Sequence, residues 1–396
     1  MPKTVLHIVD GLGLSGKTQN LVSIVSRLDQ RRFSPVVCSL NPEWSPLVEH
    51  LEAARVPLHM IACREGIDLG TAVRLARLAW SVKADIVHCY NPRPMLYGGL
   101  AARAIGKAGV GFLSAFACHV PDRPYGFLPQ PLATISRSNV YRNRVAASSM
   151  RVIVTVSPSL GRRFCEYSGV PVSKLRVIPY AADVRAADAI TSERVSELRE
   201  QLGFRPDDVV IGSVGRLVEQ KDYPMQLQAF ALAAVRAPML RMAIAGDGPL
   251  RSSLEDLARR LAIADRVHFL GNRDDIPRLL RSFDIFALAS KFEPFGVAVL
   301  DAKAAGLPIV ATAINEIPAM ITDRESGLLA RPEHPSQMAE LFAQLAQDPE
   351  YRTRLGTRAR LEAQQFTLQM AVDAYESLYD EISEPRNRVA VRPARV

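Results

Sequence analysis

The sequence predicts an α/β protein built from two doubly wound, Rossmann-like halves, each with a parallel sheet. The chain has 396 residues, which is long for one ordinary domain and favours two. Short apolar runs alternate with longer stretches that carry apolar residues at helical spacing, the pattern of repeated βα units. The alternation is interrupted by a polar stretch from Asp183 to Glu200 and then starts again.

The first half, residues 1–183, is predicted to contain six strands and three clear helices. The strand candidates are 4–9, 34–39, 85–89, 109–114, 151–156 and 175–179, because each is a short run rich in β-branched or apolar residues. The helices are expected at 19–28, 69–80 and 96–105, where apolar residues recur every three or four positions.

The second half, residues 184–365, repeats the scheme. Its strands are expected at 208–214, 240–245, 266–270, 284–289 and 308–311, and its helices near 223–235, 249–262, 274–281 and 296–305, with two more within 336–364. Residues 366–383 read as a final amphipathic helix that completes the first domain, and 384–396 as a basic flexible tail. Because such folds bind ligands at the carboxyl ends of their strands, we expect the active site in a cleft between the halves.

Composition narrows the class of protein. Hydrophobic residues make up 48% and charged residues 23%, as in globular proteins, and no apolar run is long enough for a membrane span. The first residues enter a strand-like run directly, which predicts a protein that is not exported. Five widely spaced cysteines give neither a metal pattern nor a disulfide framework, which favours a cytoplasmic location.

The formal charge of +8 is unevenly distributed. Residues 1–183 hold 22 Lys and Arg against 11 Asp and Glu, whereas residues 184–396 hold 27 against 30. A basic half suggests an anionic partner, such as a membrane surface or a lipid diphosphate, with Arg137, Arg142, Arg144 and Arg151 among its cations. A solvated surface explains the same surplus equally well. No Lys/Arg-aromatic cluster indicates nucleic acid.

Residues Gly11 to Thr18 fit the phosphate-loop pattern G-x-x-x-x-G-K-[ST] between a strand and a helix. A functional phosphate loop would make the chain an ATPase or kinase that uses Lys17 and Thr18. No later strand ends in the Asp that would hold magnesium, so we favour a glycine loop on the acceptor side of the cleft, with Gly13 and Gly16 facing substrate. A plain tight turn is the remaining alternative.

The second half carries the stronger signal. Gly215, Arg216 and Lys221 follow the strand at 208–214, where two cations five residues apart can neutralise a diphosphate. The next two strands also end in glycine loops, with Gly246 after 240–245 and Gly271-Asn272 after 266–270.

The most informative segment is residues 290–302. Glu293 lies in the loop after strand 284–289, and Gly296 opens a helix, so the backbone around Phe295, Gly296 and Val297 forms an anion site at a helix N-terminus. Asp301 lies about five residues into that helix. Two acids that flank an anion site suit a ligand with phosphates between two polyols. Alternatively, they are a helix-end acid and an unrelated helical Asp.

Taken together, the series G-R-x-x-x-x-K, G-D-G-P, h-x-F-L-G and E-P-F-G-x-x-x-x-[DE]-A-x-A-x-G-x-P-[IV]-V resembles retaining glycosyltransferase family 4 of the GT-B fold (glycosyl transferases group 1). The likeness covers roughly residues 150–383, and the first βα unit with its glycine loop is similar as well. Two departures are Asp301, where the family usually has Glu, and Pro179 to Asp183, where it commonly has Pro-Asn-Gly-Val-Asp.

The resemblance implies specific roles. Arg216 and Lys221 would bind the donor diphosphate, Glu293 the donor sugar, and the backbone of Phe295 to Val297 the phosphates. Asp301 would hold the ribose, and Gly271 and Asn272 would lie near the base. His119 is similar to a first-domain histidine that the family directs at the donor sugar.

The resemblance also implies a mechanism: transfer of a hexose from a UDP- or GDP-sugar to a glycan or lipid-linked acceptor, with retention and without a metal or other cofactor. A phosphate-loop ATPase and a non-catalytic sugar-nucleotide-binding module are the alternative functions. The expected location is the cytoplasm, either free or peripherally at the inner face of the membrane.

Overall fold

The structure, a computed structural model, describes residues 1–13, 15–42, 45–64, 68–113 and 144–383. It divides into two compact units, the first formed by residues 1–180 together with the chain from Leu368 onward, and the second by residues 181–367. Each unit has one parallel sheet with helices between successive strands. The predicted class, α/β with two Rossmann-like domains, is therefore confirmed.

The first sheet has seven strands in the order β3-β2-β1-β4-β5-β6-β7. These are β1 Lys3–Val9, β2 Phe33–Ser39, β3 Leu58–Met60, β4 Ile86–Tyr90, β5 Ala108–Leu113, β6 Val152–Thr155 and β7 Leu175–Val177. Its helices include α1 Gly16–Val25, α2 Pro46–Ala53, α3 Leu69–Ser81, α4 Pro92–Ala104 and α5 Pro158–Ser168.

The second sheet has six strands in the order β10-β9-β8-β11-β12-β13. These are β8 Val209–Val214, β9 Leu240–Ala245, β10 Val267–Gly271, β11 Ile285–Leu288, β12 Ile309–Thr312 and β13 Leu328–Ala330. The helices of this unit are α6 Val184–Asp188, α7 Ser192–Gln201, α8 Tyr223–Arg236, α9 Arg251–Arg260, α10 Ile276–Arg281, α11 Val297–Ala304, α12 Ile317–Met320, α13 Pro335–Gln347 and α14 Pro349–Ala363.

Pattern reading missed several elements, each for a physical reason. Strands β3 and β13 have three residues each, too few to show a period. The polar stretch after Asp183, for which no element was predicted, contains α6 and α7. Helix α7 buries only Leu198, so it has no apolar stripe for a sequence pattern to reveal. Its helical form shows instead in Thr191, whose side chain caps the first turn.

The last described helix, α15 Leu368–Ser383, packs within the first unit rather than the second. Glu376 and Asp380 form ion pairs with Arg32, and Asp380 also pairs with Lys3 at 2.7 Å. Tyr379 lies within hydrogen-bond distance, 2.8 Å, of the buried His88 on β4. These contacts make α15 part of the first unit's core. The predicted tail, 384–396, lies outside the described residues.

No helix in the described part of the chain combines the length and apolar character that crossing a bilayer requires.

Candidate functional site

The predicted site residues of the second unit converge where the strand order reverses. Strands β8 and β11 are neighbours in the sheet, but the chain leaves β8 toward β9 and β10 and returns only afterwards to form β11. The loops that follow β8 and β11 therefore lie side by side at the carboxyl edge. This reversal brings the loop containing Lys221 next to the loop containing Glu293.

Lys221 and Glu293 form an ion pair across this reversal, with 2.5 Å between Lys221 Nζ and Glu293 Oε2. Both side chains are largely buried, with exposed fractions of 17% and 11%. Ser290 donates a second, longer hydrogen bond of 3.4 Å to the same carboxylate oxygen. The pair is thus a partly desolvated charge pair, in which each group holds the other at the edge of the sheet.

The two loops are also joined through their backbones. Lys291 N–H donates to the Gln220 carbonyl at 2.9 Å, and the Gln220 side chain donates back to the Phe292 carbonyl at 2.9 Å. Asp222 ends the first loop in the left-handed region, with φ 46°, and begins α8. These bonds hold the backbone around Lys221 in place relative to the loop that carries Glu293, in the absence of a ligand.

Arg216 differs from Lys221 in being exposed. Its guanidinium makes no hydrogen bond or ion pair with any residue that the structure describes. A guanidinium that the protein leaves unpaired beside a buried Lys is available for an anionic ligand, which it can bind through two parallel hydrogen bonds.

Glycines let the backbone of neighbouring loops approach closely at this edge. Gly246 has φ 133°, and a Cβ there would lie 2.0 Å from the Gly215 carbonyl oxygen. Gly246 N–H donates to the Gly271 carbonyl at 2.7 Å, and Gly271 itself has φ 69°. The predicted positions 215, 246 and 271 are therefore packed against one another, with the exposed Asn272 directly following.

Helix α11 begins beside Glu293. Gly296 precedes it with φ 99°, no side chain caps it, and no acid lies in its first turn. A Cβ at Gly296 would lie 2.8 Å from Ile317 Cδ1, and the positive φ would strain any other residue there. Because the N-terminal turn, starting at Val297, lacks a side-chain cap, it can bind an anion through backbone N–H groups. Phe295 is buried and forms an edge-to-face contact with Phe366.

Asp301 is the fifth residue of α11 and is partly buried. No residue of the described chain donates a hydrogen bond to its carboxylate. Burial raises the pKa of Asp301 from 3.8 to about 7. The group therefore lies in an environment that favours its neutral form. Hydroxyl donors from a ligand would supply the hydrogen bonds to the carboxylate that the described residues do not.

The raised pKa predicts that Asp301 destabilises the folded protein at high pH. Between about pH 4 and pH 7 the native state binds the proton that the unfolded state has lost, so the free energy of unfolding falls as pH rises through that window. We expect Asp301→Asn to raise the free energy of unfolding at pH 8 by up to about 4 kcal/mol, which thermal unfolding detects as a higher midpoint. Near pH 4 we expect the midpoint of the variant to equal that of wild type. The exposed Asp207→Asn is the matched control. An equal effect of Asp301→Asn at both pH values would contradict the prediction.

The glycine loop of the first unit folds differently from a phosphate loop. Ser15 caps α1, and Thr18 is buried, with its hydroxyl within hydrogen-bond distance of Ser15 and 2.5 Å from the Gly13 carbonyl. That hydroxyl is occupied by the capping box, whereas a phosphate loop presents it to magnesium. At Gly13 a Cβ would meet nothing within 4 Å, and Gly16 starts the helix. The acceptor-side role of both glycines stays a prediction.

Two further predictions concern the first unit. His119, Arg137 and Arg142 lie outside the described residues. Arg151 donates a 2.8 Å hydrogen bond to the Ile382 carbonyl and so holds α15, while Arg144 is exposed. The partner role of these arginines stays a prediction.

Pattern reading did not identify three residues that organise the site. Ser290 donates its hydroxyl to the Glu293 carboxylate. The Asn315 side-chain oxygen accepts a hydrogen bond from the Glu293 backbone N–H at 3.2 Å. Tyr223 is buried and donates to the Gly215 carbonyl at 3.1 Å, and burial raises its pKa well above the ordinary value. The available signal was a polar residue in a strand-end loop for Ser290 and Asn315 and at the start of α8 for Tyr223, but it does not reveal the partner.

Comparison with known sequences places most of the chain. Residues 16–185 match the family described as Glycosyltransferase Family 4, and residues 195–362 match the one described as Glycosyl transferases group 1. Together the two matches cover most of the chain. The chain belongs to this glycosyltransferase family.

Curated relatives agree with the family assignment. An alpha-D-kanosaminyltransferase of Streptomyces kanamyceticus is 31% identical over 54% of this chain and 56% of its own length. An N-acetyl-alpha-D-glucosaminyl L-malate synthase of Bacillus anthracis is 28% identical over 80% of this chain and 79% of its own. For the first of these, and for others of similar rank, the matched region spans about half of the relative's length.

Solved structures establish the fold as GT-B. The Anabaena protein Alr3699/HepE in complex with UDP and glucose aligns with a TM-score of 0.82 at 20% identity, over 96% of this chain and all of that one. WaaG, a glycosyltransferase involved in lipopolysaccharide biosynthesis, aligns with a TM-score of 0.73 at 15% identity, over 94% of this chain and 99% of that one. At these identities the likeness concerns the fold.

Proposed function

We propose that this protein transfers a hexose from a UDP- or GDP-sugar to a glycan or lipid-linked acceptor in polysaccharide or glycoconjugate synthesis. The observation that carries the proposal is the arrangement at the strand reversal of the second sheet. There an unpaired Arg216, the Lys221–Glu293 pair and the uncapped start of α11 lie on adjacent loops. Family membership and the names of the relatives, which are sugar transferases, support it.

In this proposal the cations and the helix end perform the electrostatic part of catalysis. Arg216, Lys221 and the N-terminal turn of α11 stabilise the negative charge that develops on the leaving diphosphate, a contribution typically worth about 3 kcal/mol for each donor. Glu293 accepts hydrogen bonds from the sugar, and Asp301 accepts them from the ribose. The acceptor hydroxyl attacks from the face that the diphosphate leaves and passes its proton to the departing phosphate oxygen, so configuration is retained.

The proposed reaction needs no metal or other cofactor beyond the sugar nucleotide. Among the described residues no three His, Cys, Asp or Glu side chains converge into a potential metal site. The role of His119 toward the donor sugar remains part of the proposal, drawn from the resemblance alone.

A panel of UDP- and GDP-hexoses tests the proposal. The purified protein is incubated with each donor, and nucleotide release is measured with and without simple glycan acceptors. We expect hydrolysis of at least one donor, because water is the only available acceptor hydroxyl when no glycan is present, and we expect it to be slow, because a closed site limits the access of water. Tight binding of a donor with no release under any condition would favour the non-catalytic binding module instead.

We further propose that the protein acts in the cytoplasm and associates peripherally with an anionic membrane through helix α3. Thr71, Leu75 and Ala79 form its buried face. On the opposite side Leu69, Val73 and Trp80 are exposed by 65%, 53% and 75%. Residues 69–84 carry no acid, and Arg77 and Lys83 supply positive charge, whereas Arg74 is paired at 3.0 Å with Asp68, which caps the helix. An exposed apolar stripe flanked by cations suits an anionic lipid surface.

Vesicle sedimentation tests the α3 proposal. We expect binding to phosphatidylcholine vesicles only when phosphatidylglycerol is added, and a fall of about tenfold in the double variant Val73→Ser, Trp80→Ser. The matched control is Leu232→Ser, Val235→Ser, which removes exposed apolar residues from α8 of the second unit. Unchanged binding in the α3 variant would reject the proposal. So would a loss of self-association instead, because a second copy would then cover the stripe.

A further inference from the structure

The loop that carries Glu293 rests on the segment that follows β12. Three contacts join them. Thr312 donates its hydroxyl to the Ser290 carbonyl at 2.6 Å, and Glu293 N–H donates to Asn315 Oδ1 at 3.2 Å. The Gly296 backbone lies against Ile317, whose Cδ1 would be 2.8 Å from a Cβ at Gly296. The position of Glu293 is therefore set by the segment after β12, which lies about twenty positions further along the chain.

Asn315 meets two requirements at once. Its φ is 44°, in the left-handed region that most side chains avoid and that Gly, Asn and Asp tolerate. Its side chain supplies the oxygen that accepts the Glu293 N–H. Glycine would satisfy only the first requirement, and most other residues neither.

The bond from Asn315 gains importance when a ligand arrives. In the ligand-free protein Glu293 is held at both ends, by Lys221 at its carboxylate and by Asn315 at its backbone. A bound diphosphate competes for the Lys221 ammonium, which weakens its bond to the carboxylate. The Asn315 bond does not involve charge, so it persists and keeps the Glu293 backbone in place.

We propose that Asn315 is a positioning residue for Glu293, which holds the acid against the donor sugar once Lys221 has turned to the diphosphate. The inference rests on the proposed function, because it presumes that Glu293 contacts the donor. Asn315 acts through Glu293 and need not touch substrate itself. Its removal is therefore expected to lower turnover without weakening nucleotide binding.

Two substitutions at one position separate these effects. Asn315→Gly keeps the left-handed backbone and loses the acceptor oxygen, whereas Asn315→Asp keeps both. We expect Asn315→Gly to lower kcat for donor turnover by about 10- to 100-fold, the cost of a misplaced catalytic group, with the Kd for the free nucleotide within about twofold of wild type. We expect Asn315→Asp to retain kcat within about threefold of wild type, because its oxygen accepts the same N–H.

A matched control and a double variant complete the test. Arg324 also has a positive φ, of 63°, so Arg324→Gly measures the effect of a new glycine elsewhere in the unit. In a Glu293→Gln background, Asn315→Gly should cost no further turnover if it acts only through Glu293. Wild-type kcat in Asn315→Gly, or an equal loss of kcat, nucleotide binding and thermal stability, would overturn the inference. If the wild-type protein turns over no donor, the proposed function fails instead, and the inference fails with it.

Discussion

Glu293→Gln is expected to reduce sugar transfer by about 10³-fold while the protein remains folded. The substitution keeps the size and shape of a side chain that is 11% exposed, so packing is preserved. It removes the negative charge that would stabilise positive charge on the reacting sugar, an effect of the magnitude seen when a preorganised catalytic group is lost. Turnover of the donor identified by the panel, with and without acceptor, provides the measurement.

For the same variant we expect the affinity for the nucleotide to be kept or increased, although turnover falls. Glu293 occupies the Lys221 ammonium at 2.5 Å in the ligand-free protein, so a diphosphate has to compete for that cation. With a neutral glutamine, Lys221 is released, and we expect the affinity for the free nucleoside diphosphate to be unchanged or a few-fold higher. Calorimetric titration with UDP and GDP measures this directly.

Controls separate catalysis from stability in the Glu293 variant. Because glutamine leaves the largely buried Lys221 without its negative partner, a loss of about 1–3 kcal/mol in unfolding free energy is expected. Glu340→Gln, an exposed acid on α13, should leave turnover, binding and stability unchanged. Turnover within tenfold of wild type would exclude Glu293 as a catalytic group. A tenfold loss of nucleotide affinity would show instead that the ion pair orders Lys221 for binding.

The sequence predicts the residues of this site better than it predicts their contacts. Arg216, Lys221 and Glu293 each lie in a loop that follows a strand, and Asp301 lies in the helix after Glu293. Parallel strands place their carboxyl ends at one edge, so the predicted alternation already implied a common location. The pairing of Lys221 with Glu293 depends on β8 lying beside β11. Strand order is set by long-range packing, and local periodicity does not contain it.

Other features are invisible to pattern for different reasons. Asn315 looks like an ordinary loop residue, since neither its left-handed φ nor its bond to Glu293 leaves a mark on the neighbouring sequence. The glycine loop shows the reverse failure. Its sequence matches the phosphate-loop pattern, but the Thr18 hydroxyl is hydrogen-bonded within the cap of α1. A pattern of residue types does not specify which groups a side chain bonds.

Lys221→Met is the second substitution with a large expected effect, because it removes a buried cation and keeps its apolar stem. We expect the affinity for the preferred nucleoside diphosphate to fall about 100-fold, or about 2.7 kcal/mol, which is within the range for a charge-assisted contact in a desolvated site. The corresponding monophosphate should lose much less, since it lacks the second phosphate. The difference between the two losses, measured by calorimetry, isolates the contact to the diphosphate.

Substitutions of two other lysines, Lys291 and Lys17, are the controls for a loss of nucleotide binding in Lys221→Met. Lys291 is exposed and lies 3.8 Å from Asp222 on the same pair of loops, so Lys291→Met tests whether any nearby cation would serve. Lys17→Met tests the first unit, where burial lowers the pKa of the lysine in the glycine loop. If Lys17→Met abolishes ATP binding while Lys221→Met leaves UDP and GDP binding intact, the nucleotide site lies in the first unit and the chain works as a phosphate-loop enzyme. Loss confined to Lys221→Met places the diphosphate at the strand reversal of the second sheet, because Lys221 is the only one of the three lysines paired with Glu293.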